Sequence, residues 1–151
     1  MEPIPFLAET LRNVRPHDQV VSAVITTTNA PFVELHVHEK NELSSVNLEH
    51  LDHFKWLGGR EGIVETIRCP NMHINDFLKQ FAPNQIDYLS IDVEGLDIEL
   101  LREMDTAFQP TIIQAELGHR FDQIISLMND KDYGLLAITD VNVIFLRRGI
   151  F

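Results

Sequence analysis

Three carboxylates open the chemical reading of this chain. Asp92 and Glu94 stand two apart in Asp92-Val93-Glu94-Gly95, at the end of an apolar run that begins at Ile86, and Glu116 ends a second apolar run, Thr111 to Leu117. Two buried strands that each deliver an acid to the carboxyl edge of a parallel sheet mark the place where open α/β folds put their sites. If the extended geometry persists past the strand, Asp92 and Glu94 point the same way. Three carboxylates close together either bind a hard cation such as Mg2+ or repel one another, with at least one pKa raised. A bound Mg2+ would hold an acceptor hydroxyl and lower its pKa. The plain alternative is that Glu94 or Glu116 caps a helix or pairs with Arg102 or Arg120. Gly95 supplies a sharp turn from strand to helix.

Other reactive groups are scattered. His119, just beyond Glu116, has the side chain of a general base toward an acceptor hydroxyl; a surface-loop histidine is the plain reading. His36 and His38 are two apart on one face of a strand and could bind a metal, but no third ligand is spaced to join them, so a solvent-facing polar stripe is preferred. Ser44-Ser45 lies in no G-x-S-x-G turn, which excludes a serine hydrolase. Trp56 with Phe54 either lines a substrate mouth or anchors its loop. Cys69 is the only cysteine, so no internal disulfide and no four-cysteine zinc site can form.

The elements that must position these groups belong to a chain of 151 residues, 44% hydrophobic and 23% charged, as expected for a single globular domain over 1–151. Its net charge of -11 opposes any partner bound through phosphates, so duplex nucleic acid and anionic membranes are excluded and a neutral or cationic small molecule is favoured. No apolar run reaches the roughly 18 residues of a membrane span, and Met1-Glu2-Pro3-Ile4-Pro5 is no signal peptide. A soluble, cytoplasmic protein is expected.

Pro3 and Pro5 precede a short helix in which Phe6, Leu7 and Leu11 share a face, stopped near Pro16. Val20 to Thr27 reads as a strand, and Phe32 to His38 as a half-exposed one, antiparallel and near an edge. Glu39 to Gly62 is a polar excursion without a clean period. Ile63 to Ile67 is a strand, Asn75 the N-cap of a helix through Phe81 closed by Pro83, and Ile86 to Ile91 a strand buried on both faces. Ile98, Leu100, Leu101 and Met104 mark the helix after Gly95; Phe121, Ile124, Ile125 and Met128 mark another. Leu135 to Thr139 and Asn142 to Leu146 form a closing hairpin.

That order, with Ile86 to Gly95 at its centre, resembles the FkbM-type family of S-adenosylmethionine-dependent methyltransferases. Glu2-Pro3-Ile4-Pro5 with Leu11-Arg12-Asn13, Thr66 to Leu78, Pro110 to Glu116, Tyr133-Gly134 and Asn142 to Arg147 carry the likeness along the chain. It implies an α/β, Rossmann-like class I methyltransferase fold with a mostly parallel sheet and a C-terminal antiparallel hairpin. It also implies an incomplete amino terminus, because the chain starts downstream of the family's first strand and glycine-rich cofactor turn. The implied activity is methyl transfer from S-adenosylmethionine to a hydroxyl oxygen of a sugar or other small molecule. By the same resemblance Glu2 meets the ribose hydroxyls, Ser22 and Ala23 flank the adenine, and Asp92 lies nearest the chemistry and the cofactor; a frayed terminal glutamate and ordinary strand residues are the plain readings. An inactive remnant serving as a binding or regulatory module is the alternative. A metal-dependent hydrolase lacks its histidine ligands.

Overall fold

The computed structural model describes residues 1–82, 84–116 and 120–150. The chain divides into two compact units, Met1–His73 and Ile74–Phe151.

The first unit begins with α1 (Pro5–Val14), where Pro5 starts the helix without losing a needed N–H. The Glu2 carboxylate accepts the Ile4 N–H at 2.8 Å at this entry, and the Glu2 N–H donates to the Val21 carbonyl at 3.1 Å. Ile4 and Ala8 form the buried stripe; Phe6, expected on it, is exposed. Three strands follow: β1 (Val24–Thr26), β2 (Phe32–His38) and β3 (Ile63–His73), in the order β1-β3-β2. β1 is thus shorter than the β-branched run suggests, because its ladder spans the parallel partners Val24↔Asn71 to Thr26↔His73. β2 is antiparallel to β3 and lies at an edge, as expected. Ile4, Val24, Leu35, Val37 and Cys69 form the core of this unit, with Leu7, Val33, Val46 and Ile67 packed on it.

β3 runs six residues beyond the expected Ile67. Pro70 is tolerated because neighbouring N–H groups point to opposite sides of a strand. The Asn71 N–H turns to the Pro31 carbonyl, so the nitrogen of Pro70 faces the other side, where the β1 ladder starts only at Asn71. The 39–62 excursion is a chain of short helical turns over Asn41–Leu43, α2 (Leu48–Leu51), Asp52–Leu57 and Gly59–Gly62, pinned by buried Leu43 and Leu51.

In the second unit, α3 (Ile74–Phe81), β4 (Tyr88–Ile91), α4 (Asp97–Glu103), β5 (Ile112–Glu116), α5 (Phe121–Asp130), β6 (Tyr133–Ile138) and β7 (Asn142–Arg147) follow, with strand order β4-β5-β7-β6. β4 and β5 are parallel; β5/β7 and β6/β7 are antiparallel. The helical periods hold: Ile98, Leu100, Leu101 and Met104, then Ile124 and Met128, are buried. On the sheet, Ile113 and Ala115 of β5 face Phe145 and Val143 of β7 across a buried side, while Gln114 and Glu116 occupy the half-open side.

Three expectations are corrected here. The sheet is not mostly parallel and is no clear Rossmann sheet: among the described residues two mixed sheets hold two parallel and three antiparallel pairings. β7 enters antiparallel between β5 and β6, and β2 returns to β3 antiparallel through the excursion, so only β1/β3 and β4/β5 run parallel. β4, expected to be buried on both faces, is an edge strand with Tyr88 and Ser90 exposed. Asn75 is no N-cap; it lies inside α3, donates to the Glu103 carbonyl at 3.1 Å and accepts the Asp105 N–H at 2.8 Å, fastening the end of α4. The expected helix stop at Pro83 and the last residue of the Thr111 to Leu117 strand lie outside the described residues.

Candidate active site

Parallel pairing of β4 with β5, in register from Tyr88↔Ile112 to Ile91↔Ala115, brings Asp92 and Glu116 out of the ladder at one edge. Asp92 is exposed at the tip of β4, and Glu94 and Glu116 are half-buried. The chain then turns through two left-handed residues, Glu94 at φ 50° and Gly95 at φ 99°, before α4 begins. Glycine adopts this conformation without penalty, whereas Glu94 is strained in it. A carboxylate oxygen of Glu94 and one of Glu116 lie within 4.8 Å of each other. Of the three acids expected together, Glu94 and Glu116 converge, and Asp92 lies exposed at the tip of β4.

The group that sequence reasoning missed is Asp97. Its side chain is 5% exposed, and burial, aided by the negative charge of Asp92, pushes its pKa up to about 6 despite hydrogen bonds from backbone N–H groups. Its Oδ1 accepts the Glu116 N–H at 3.4 Å. An acid in the first turn of a helix is commonplace, which hides it in the sequence. The available signal was its place between Leu96 and Ile98, on the side of the helix start that carries the apolar residues. Arg120, considered as a partner for Glu94 or Glu116, is held by both oxygens of Glu99 at 2.5 and 2.9 Å, a fork that also keeps the Glu99 carboxyl below its ordinary pKa. His119 lies outside the described residues.

The remaining candidates belong to the first unit. Glu2 is not frayed, being held by its bonds to Ile4 and Val21; Ser22 is half-buried and Ala23 buried, immediately ahead of β1. His36 and His38 do not share a face. A bulge between Val37 and His38 turns the His38 ring wholly inward, while His36 Nδ1 lies 3.0 Å from Thr66 Oγ1. Ser44 and Ser45 build turns: their hydroxyl oxygens accept the N–H groups of His38 at 3.1 Å and Asn47 at 2.9 Å. Phe54 anchors its loop against the His50 ring, 4.9 Å away, whereas Trp56 is 78% exposed.

The methyltransferase FkbM domain matches residues 1–135, a span that takes in both parallel strand pairs and the acidic tips. The chain belongs to the FkbM methyltransferase family. Neither a curated protein nor a solved structure matches it. FkbM membership supports methyl transfer as the general activity and suggests S-adenosylmethionine as the methyl donor. In this FkbM domain the segment at the β4 tip and the end of β5 both fall inside the matched span, and the closing strand β7 lies beyond it.

Proposed function

We propose that the chain transfers a methyl group from S-adenosylmethionine to a hydroxyl oxygen of a sugar or other small molecule. The observation that carries this reading is the parallel β4/β5 pair, which puts Asp92-Val93-Glu94-Gly95 and Glu116 at one carboxyl edge inside the FkbM match. Together with the family's general activity, this edge supports the class I methyltransferase arrangement as the ancestry of the second unit, whose order β4-β5-β7-β6 departs from parallel only at its closing strands.

The residues present suit the donor's chemistry. Acids that only accept hydrogen bonds match a ligand carrying a sulfonium, an ammonium and a vicinal diol. S-adenosylmethionine supplies a methyl group made electrophilic by its sulfonium. The chain must align an acceptor oxygen with it, and alignment accounts for most of the acceleration in a displacement of this kind. The acceptor loses a proton as its oxygen is methylated, and Asp92, at the exposed tip, is the group suited to receive it, with His119 the second candidate in the sequence. Glu94 and Glu116, whose carboxylates converge, are the candidate Mg2+ ligands beside Asp92. Glu2, Ser22 and Ala23 remain the candidates for the nucleoside. The reading places the protein in the cytoplasm, without nucleic-acid or membrane partners, in keeping with its charge of -11.

The inactive-remnant reading is favoured by one observation: the Glu2 carboxylate, assigned to the ribose, is engaged by the Ile4 N–H. Calorimetric titration with S-adenosylmethionine, with and without Mg2+, separates the two. Saturable heat that Asp92→Ala weakens by about tenfold or more supports the transferase, by the worth of a charged hydrogen bond. No heat under either condition supports the remnant.

A further inference from the structure

Asp97 is an expensive residue for its position. Moving a carboxylate out of water next to another acid is unfavourable, and Ile98, Leu100 and Leu101 already supply the apolar anchorage of α4. The acid is spent on backbone instead. Oδ1 accepts the N–H of Glu116, the last residue of β5, at 3.4 Å, and the backbone N–H groups of Val93 and of Asp97 itself favour the charged carboxylate. Val93 lies between Asp92 and Glu94 in the turn that leaves β4, so one side chain bonds the end of β5 and is influenced by the backbone of that turn. The turn needs such a tether, because Glu94 is held in a left-handed conformation that a non-glycine residue adopts at a cost.

We propose that Asp97 is a positioning residue: its carboxylate clamps the β4–α4 turn to the end of β5 and so fixes the spacing of Glu94 and Glu116. What the tips bind rests on the transferase reading above; the clamp itself does not. Any ligand held at the tips is then sensitive to a side chain that never touches it, because losing the clamp frees two segments at once.

The test compares two variants of the full chain. Asp97→Asn keeps an oxygen acceptor in the same shape, and Asp97→Leu keeps the volume without an acceptor. Both are read by amide hydrogen exchange and by titration with S-adenosylmethionine. In Asp97→Leu, exchange at the Val93 and Glu116 amides should accelerate by about tenfold, the worth of one hydrogen bond, while the β6/β7 ladder keeps its protection. Asp97→Asn keeps one acceptor oxygen and should protect the Glu116 amide better than the leucine variant does. Affinity for the donor should fall by about tenfold in the leucine variant and return in the asparagine one. Unchanged exchange at both amides, acceleration spread evenly over the chain, or an asparagine variant as loose as the leucine one overturns the clamp. If the wild-type chain binds no S-adenosylmethionine, the donor reading fails and the exchange pattern alone decides the clamp.

Discussion

Gly62 has no room for a side chain. A Cβ there would lie 2.6 Å from Cε1 of the His38 ring and nearer still to Nε2, in a spot where the ring is fully buried. The ring is also fixed by its other nitrogen, since Nδ1 accepts the Lys40 N–H at 3.0 Å and leaves the proton of the neutral form on Nε2. Gly62→Ala should therefore cost roughly 1–3 kcal/mol in denaturant unfolding, as overpacking does, and the loss should shrink when His38→Ala is added. Equal losses with and without His38 would contradict the contact. Asp97→Asn carries the opposite sign. A carboxyl raised to about 6 from an ordinary 3.8 binds its proton more tightly in the folded chain, so its penalty is absent below pH 3.8, grows between the two values and is complete above about 6. The asparagine variant should match the wild type at low pH and gain roughly 1–3 kcal/mol at pH 7.5. Both residues were hard to read in the sequence for physical reasons. Strict alternation placed His38 outside, and one bulge reversed it; Asp97 looked like an ordinary helix-start acid.

At the scale of elements, α4 shows how ends are tied. Lys131, just past α5, donates to the Met104 carbonyl at 2.8 Å, which satisfies an orphan acceptor and places a cation at the negative end of α4. Burial lowers the pKa of this amine despite Asp105 and Glu103 nearby. Lys131→Met should lower stability by about 1 kcal/mol, measured by thermal or chemical unfolding, and a neutral result would show the bond to be idle. The helices themselves were legible because a 3.6-residue period needs only local sequence, as Ile124 and Met128 show. β2 was legible as an antiparallel edge strand from its alternation. β3 runs on past Ile67 through Pro70, which the staggered start of β1 makes harmless and which no local pattern announces. Asn75 was misassigned because a capping side chain can serve a distant helix as readily as its own.

At the scale of the whole molecule, the motif around Asp92 and Glu116 was legible and the pairing of the sheets was not. Apolar runs state which segments are strands, but the direction of each pairing depends on long-range contacts that leave no local pattern, so β4/β5 and β7 look alike in composition and differ in sense. Among the described residues no helix is long and apolar enough to cross a membrane. Family membership over residues 1–135 gives the general chemistry, and the proposal sets it at the acidic strand tips of the second unit. A backbone amide titration of the full chain with S-adenosylmethionine, followed by nuclear magnetic resonance, tests that placement most directly. Saturable shifts concentrated at Ile91 to Asp97 and at Ala115 and Glu116 are expected; an unchanged spectrum, or shifts that leave both strand tips untouched, would contradict that placement.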